Sequence, residues 1–274
     1  MIFTKKAKFL IAFYLVVALY WAIVYLKIAK SHEVIIFYQF LFSLVPILGG
    51  VGGLINSKKW GLLTSKLGKS LFYLSAGLIS WGLGQVVWAY YVIVLNQSTP
   101  YPSLADVGYV LAIPLWSVGL VYMAQATGAR YGFKKTSNKI LVVVLPLIAV
   151  LIAYFLPIGG GNNGAFAVGE SPVKIFLDVF YPLSDVITLT LSFILFSLTF
   201  NFLGGAFRIP VLSLLIGFVV EYVVDFSFSY VTNNGSYYNG HWVDLVFPTA
   251  MVLIGFAVCS IEPLKRVKQR AESA

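Results

Sequence analysis

The sequence has little of the chemistry on which metalloproteins and soluble enzymes depend. Its 274 residues include one cysteine, Cys259, two histidines, His32 and His241, and only 11% charged residues, against about 25% in a soluble domain. One cysteine excludes an intramolecular disulfide and a cysteine-based metal cluster, and we expect Cys259 to be a small packing residue. Both histidines lie near predicted outer helix ends, so haem ligation within a helical bundle is not expected.

Familiar catalytic motifs are also missing. The chain has no HExxH, no GxSxG and no Gly-x-Gly-Asp motif of intramembrane aspartyl proteases, and no lysine in the last hydrophobic segment to hold retinal. The GGVGG stretch at 49–53 follows no predicted strand, so we expect it to allow close helix packing rather than to bind phosphate. The sequence therefore predicts a protein that is not an enzyme and holds no cofactor and no metal. A lipid-modifying enzyme is the weakest alternative, because no nucleophile–base pair is visible.

What the chain has in abundance is apolar residues, 59% of the total, with a mean hydropathy of +0.89. A helix needs roughly 20 apolar residues to cross the hydrocarbon core of a membrane. Eight segments qualify, at about 9–29, 34–56, 70–95, 106–127, 139–157, 173–202, 208–231 and 242–262. The composition predicts an all-α integral membrane protein that crosses the cell membrane eight times. We expect the first segment to be a retained helix, because its apolar run is longer than a signal-peptide core.

The basic residues predict the orientation. With the N-terminus in the cytoplasm, 16 of the 19 lysines and arginines face the cytoplasm, and only Lys27, Lys30 and Lys174 lie outside. The positive-inside rule then places both termini in the cytoplasm. The net charge of +9 suits anionic lipid headgroups of the bilayer, and this distribution does not favour nucleic acid as a partner.

The chain also resembles two copies of a four-helix unit, 1–135 and 136–274. An ungapped alignment pairs Gly77 with Gly217, Trp81 with Glu221, Gln85 with Asp225, and Trp88 with Phe228. A polar loop and an acid that opens the next segment follow in each half. Because four is an even number, the units would be parallel repeats. The alternative is that aromatic-rich outer helix ends look alike by chance.

Six of the ten carboxylates lie within hydrophobic segments or at their outer mouths, and we expect no lysine or arginine in the same membrane layer to neutralise them. They are Asp106, Asp178, Asp185, Glu221, Asp225 and Asp244. An ionised acid at that depth is costly and marks a functional site by default. Asp106 and Asp244 lie at predicted helix N-termini, where a carboxylate can cap the helix.

The other four acids form the predicted site. Glu221 and Asp225 are four residues apart and Asp178 and Asp185 seven apart, so each pair shares one helix face. The predicted ligand- or proton-binding set is Asp178, Tyr181, Asp185, Glu221, Asp225, Trp81, Gln85 and Trp88. Acids beside aromatic faces suit an organic cation. The alternative for each acid is a hydrogen bond that joins helices, and for each tryptophan it is ordinary packing.

Two stretches resemble a known kind of membrane module. They are SWGLGQVVWAY from Ser80 to Tyr90 and PYPSLADVGY from Pro100 to Tyr109. They resemble the multi-helix membrane regions at the N-termini of some bacterial diguanylate cyclases and sensor histidine kinases. The resemblance implies a sensory, ligand-responsive module. No output domain follows the last segment of this sequence, so we expect signalling through a separate partner protein.

Together these patterns predict a membrane sensor or receptor-like module. It would bind a small cationic or protonatable ligand in an outward-facing acidic and aromatic cavity between the two repeats. The alternative is a secondary transporter coupled to protons or cations, with Asp185, Glu221 and Asp225 as its coupling site.

Overall fold

The computed structural model describes residues 4–26, 32–127, 171–199 and 207–263, in which the regular secondary structure is helical. Its long helices are α1 (Lys5–Tyr25), α2 (His32–Lys59), α3 (Lys66–Ile93), α4 (Ala105–Ala126), α5 (Pro172–Thr199), α6 (Arg208–Asn233) and α7 (Val243–Ser260). Each of these seven is long and apolar enough to cross a membrane. The all-α membrane class is thereby confirmed. The predicted segment at about 139–157 lies outside the described residues.

Helix starts differ from the predicted ones where a side chain caps the helix. The Thr4 hydroxyl accepts a hydrogen bond from the Ala7 N–H at 3.1 Å, so α1 begins at Lys5 and not at about residue 9. The Ser65 hydroxyl accepts one from the Gly68 N–H at 2.9 Å and starts α3 in the same way. A hydropathy window detects the apolar span, whereas the cap sets the first turn.

Helices α1 to α6 pack side by side in chain order, and α7 packs against four of them. Consecutive helices contact one another from α1 to α4, α5 contacts both α4 and α6, and α7 contacts α1, α2, α3 and α6. The hydrophobic core lies between these helices. It includes Phe42, Trp81, Trp116 and Phe218, which are all almost fully buried. Because α5 packs mainly against α4 and α6, it presents its acids to those two neighbours.

The glycines of α2 permit close packing, as the GGVGG stretch predicts. A Cβ atom at Gly50 would lie 2.6 Å from Ile79 Cγ1, and one at Gly53 would overlap Ser75 Oγ and lie 2.6 Å from Val258 Cγ2. Gly53 therefore lets α2 approach α3 and α7 at the same point.

The substitution Gly53→Leu should destabilise the bundle by about 1–3 kcal/mol, because extra carbons in a packed core force neighbouring side chains or backbones apart. The melting temperature of the protein in detergent measures the effect. Val51→Leu is the matched control, since Val51 on the same helix is exposed. Equal melting temperatures for the two variants would contradict the close approach at Gly53.

An ion-pair cluster joins three elements at the end of the bundle where α1 begins and α2 and α7 end. The Glu262 carboxylate, just beyond α7, lies 3.2 Å from Lys6 Nζ and 2.8 Å from Lys59 Nζ. The Asn56 amide donates to the carbonyls of Val258 and Cys259 at 2.9 and 2.8 Å. Cys259 itself is buried, which agrees with the packing role expected of it.

Loss of this cluster should lower stability in a pH-dependent way. Burial alone would raise the pKa of Glu262, but hydrogen bonds from Lys59 and Lys6 outweigh it and hold that pKa below its ordinary value. The stabilisation is therefore complete above about pH 4.3, the ordinary value, and is lost as the pH falls through the lower folded-state pKa.

We expect Glu262→Gln to cost about 1.5–3 kcal/mol at pH 7, the range for hydrogen bonds to charged groups. The difference in melting temperature from the native protein should shrink towards pH 3. Lys59→Gln should behave in the same way, whereas Lys58→Gln, at an exposed neighbouring position, should have little effect. A Glu262→Gln difference that is constant with pH would exclude the ion pair as its source.

Candidate functional site

The structure brings together three of the four predicted acids, Asp185 on α5 and Glu221 and Asp225 on α6. The carboxyl groups of Asp185 and Asp225 lie within hydrogen-bonding range of each other, and Glu221 is close enough to interact electrostatically with both. We call these three residues the acid cluster. Their spacing places them on facing sides of two packed helices, as the sequence predicted.

The pairing of Asp185 with Asp225 has a direct chemical consequence. Two carboxylates repel each other, and in a low-dielectric setting two such neighbours rarely both ionise. A hydrogen bond between them needs one proton, because an ionised carboxylate can only accept. The pair can therefore hold a proton, and a cation can take the place of that proton.

Glu221 supplies the strongest indication of a ligand. Its side chain lies near the middle of α6 and is only 5% exposed, and its Oε2 atom is buried with no hydrogen-bond partner in the described part of the chain. The indole N–H of Trp81 is directed at the same carboxyl group. A buried polar atom left without a partner is costly and calls for a missing partner.

Aromatic rings surround this carboxyl group on the α3 side. The Trp81 ring centroid lies 5.7 Å from that of Phe42, 5.3 Å from Tyr109 and 5.8 Å from Phe247. Trp81 is thus both a packed core residue and a neighbour of Glu221. Trp88 lies in an adjoining aromatic group, with centroids 6.0 Å from Phe228 and 6.4 Å from Tyr237.

The prediction for Asp178 was wrong. Its carboxylate accepts from Lys174 Nζ at 3.1 Å and from the Tyr101 hydroxyl at 2.7 Å, so it has a basic partner in its own layer and does not join the acid cluster. Lys174 and Asp178 are four residues apart in the first turns of α5, a spacing that favours ion pairs. The distribution of basic residues places Lys174 on the outer side of the membrane and does not by itself show that it pairs with Asp178.

Tyr181 also lies elsewhere than predicted. Its hydroxyl donates to Asp106 Oδ1 at 2.6 Å, and Asp106 Oδ2 accepts from the Ser103 N–H at 2.6 Å. The predicted helix cap is not observed, because the Asp106 carboxylate makes no capping hydrogen bond to α4 and instead accepts from the Ser103 N–H in the turn ahead of the helix. Tyr181 ties α5 to that turn.

Gln85 takes part in a chain of hydrogen bonds that links four helices, α4, α3, α2 and α7. The Tyr109 hydroxyl donates to Gln85 Oε1 at 2.9 Å, Gln85 Nε2 to Gln39 Oε1 at 3.0 Å, and Gln39 Nε2 to Asp244 Oδ2 at 3.4 Å. We call this series the amide chain. Neither Gln39 nor Tyr109 is among the site residues that the sequence predicts. Gln39 could have been identified from the sequence, because an isolated glutamine within an apolar segment needs a hydrogen-bond partner there.

Asp244, at the far end of the amide chain, is fully engaged. It is 3% exposed, and it accepts from the Gly240 N–H at 2.6 Å and from the Tyr237 hydroxyl at 3.1 Å besides Gln39. Like Asp106, it binds a backbone N–H just ahead of its own helix. The predicted helix cap is not observed, because Asp244 makes no capping hydrogen bond to α7 itself. Its three donors instead anchor the loop ahead of the helix.

Within the described ranges, no three histidine, cysteine, aspartate or glutamate side chains are grouped so that they could hold a metal ion. The acid cluster is therefore not arranged as a metal site.

No family model matches the chain, and no curated protein or solved structure does either. What the cluster can do chemically is hold a proton or an organic cation beside an indole ring.

Proposed function

We propose that the protein is a membrane sensor or receptor-like module that binds a small cationic or protonatable ligand at the acid cluster. The observation that carries the proposal is the buried, unpartnered Oε2 of Glu221, next to a carboxyl pair and an indole ring. A cation there would neutralise the cluster and complete the hydrogen bonding of Glu221. In this proposal the site binds its ligand and does not transform it.

In this proposal both termini are cytoplasmic and the ligand arrives from outside. The acid cluster lies about halfway along α6, and the sequence places 16 of the 19 basic residues on the cytoplasmic side. Positive residues on the inner side and acids towards the outer side favour cation entry from outside. A separate partner protein would recognise the ligand-bound form and transmit the signal.

The proposal also includes the two parallel repeats, and equivalent glycine contacts support them. A Cβ at Gly77 would lie 2.5 Å from Trp116 Nε1, and one at Gly217 would lie 2.7 Å from Ile254 Cγ1. Trp116 is as far along the chain from Asp106 as Ile254 is from Asp244. The same helix-pair contact is thus found in both halves, with the acid pair in the second half only.

A secondary transporter coupled to protons or cations is the second candidate. The shared proton of Asp185 and Asp225 favours it, because a carboxyl pair that exchanges a proton for a cation can couple the two movements. Transport needs a path that opens to both sides, whereas a sensor needs only binding.

Binding and uptake of radiolabelled methylammonium by proteoliposomes test the proposal. We expect saturable binding from the outside and no accumulation above protein-free liposomes. Uptake that disappears in Asp225→Asn would establish the transporter instead. Absence of saturable binding by the native protein would contradict both candidates.

A further inference from the structure

The amide chain has one fixed direction. Asp244 Oδ2 accepts from the Gly240 N–H at 2.6 Å, and Gln39 turns its NH₂ group towards the same oxygen. The Gln39 oxygen then faces Gln85, which must offer its own NH₂ group, and the Gln85 oxygen must accept from Tyr109. The observed distances of 2.9, 3.0 and 3.4 Å follow this order.

The direction of the chain determines what the Tyr109 hydroxyl can still do. Its only proton is committed to Gln85, so its oxygen has lone pairs but no proton to give. Successive hydrogen bonds polarise one another in the same sense. Tyr109 is therefore held as a hydrogen-bond acceptor.

Tyr109 lies where such an acceptor would meet the ligand. Its hydroxyl is within electrostatic range of Asp225 and Glu221 in the acid cluster, as well as of Asp106 and Asp244. Its ring packs against Trp81 at 5.3 Å between centroids, and the indole N–H of Trp81 is directed at Glu221. Trp81 is thus a neighbour of both Tyr109 and Glu221.

We propose that Tyr109 is a specificity-determining residue of the acid cluster, whose hydroxyl oxygen accepts a hydrogen bond from an N–H of the ligand. This inference depends on the proposed function and narrows its ligand to an ammonium that carries N–H groups. A quaternary ammonium has charge but no N–H, so it would leave both Tyr109 and Glu221 Oε2 without a donor. A buried site built for a hydrogen bond rejects the analogue that cannot make it.

The test compares methylammonium with tetramethylammonium on the full chain in nanodiscs. The native protein should bind methylammonium more tightly, and Tyr109→Phe should narrow the affinity ratio by roughly tenfold, as expected for one hydrogen bond to a charged group. Because the size difference between the probes is the same in both proteins, it cancels in this comparison. Tyr101→Phe is the matched control, since its hydroxyl binds Asp178 and not the cluster.

A second variant keeps the proposal testable if Tyr109→Phe does not fold. Gln85→Met removes the acceptor that fixes the Tyr109 proton, so Tyr109 can turn and donate, and the affinity ratio should again narrow. Methylammonium binding that depends on Glu221 but keeps its full ratio in both variants would overturn the role of Tyr109 and leave the proposed function standing. If the native protein binds neither probe, the proposed function itself fails.

Discussion

Glu221→Gln should weaken methylammonium binding by about 30-fold or more, because loss of one partner of a buried charge pair costs about 2 kcal/mol or more. The replacement is nearly isosteric, so packing around Trp81 should be kept. Melting temperature should stay the same or rise, since a neutral amide replaces a buried acid whose Oε2 has no partner. Isothermal titration and thermal unfolding in the same nanodiscs measure both effects.

Asp178→Asn is the control for charge alone. Asp178 carries the same charge on the helix that supplies Asp185, but it is paired with Lys174 and lies outside the acid cluster. It should change methylammonium affinity by less than about threefold, because its ion pair near the surface contributes at most about 1 kcal/mol. Similar losses in the two variants would mean that the probe responds to overall charge and not to a site.

Asp244→Leu should be the most destabilising single substitution proposed for this protein. It removes the acceptor of the Gly240 N–H, the Tyr237 hydroxyl and the Gln39 amide. The Gly240 N–H would be left unpaired, and the Gln39 amide and the Tyr237 hydroxyl would keep only long contacts to Asn239 Oδ1, at 3.4 and 3.5 Å. A buried donor without a good acceptor costs about 1–3 kcal/mol, so a total above about 3 kcal/mol is expected. The melting temperature and the yield of monodisperse protein in detergent report the loss.

Asp244→Asn provides the comparison for this effect. Asparagine keeps one acceptor oxygen at the same place, so the variant should retain part of the hydrogen bonding and fold with a smaller loss. If Asp244→Leu is tolerated as well as Asp244→Asn, the acid is not the anchor of the loop ahead of α7 and the amide chain has no fixed end.

Much of this architecture could be predicted because membrane helices are specified locally. An apolar run of sufficient length gives a helix, and spacing along that helix places Glu221 and Asp225 on one face. Asp185 could be expected to face Glu221 and Asp225 because the two helices that carry them are consecutive in the sequence. The close approach at Gly50 and Gly53 was also visible as a cluster of small residues.

The remaining parts depend on contacts between helices distant in sequence. Gln39 meets Gln85 because α2 packs on α3, and it meets Asp244 because α2 packs on α7. Helix periodicity shows which face a residue lies on but not which distant helix covers that face. The ion pairs of Glu262 were missed for the same reason, since they need the starts and ends of three helices at one place.

Asp178 shows a different limit. The four-residue spacing from Lys174 was present in the sequence, but the assignment of Lys174 to the outer surface hid it. A lysine near a helix end can extend along the helix to a carboxylate one turn away. An acid near a helix end should therefore be considered unpaired only if no lysine or arginine lies three or four residues away on the same helix.

The most direct test of the acid cluster as one cation site is the number of protons released when methylammonium binds. Titration calorimetry in two buffers of different ionisation enthalpy gives this number. We predict one ligand and about one released proton per chain, since a cation takes the place of the proton shared by Asp185 and Asp225. In Asp225→Asn this release should disappear. Binding without proton release in the native protein, unchanged by Asp225→Asn, would contradict the shared site.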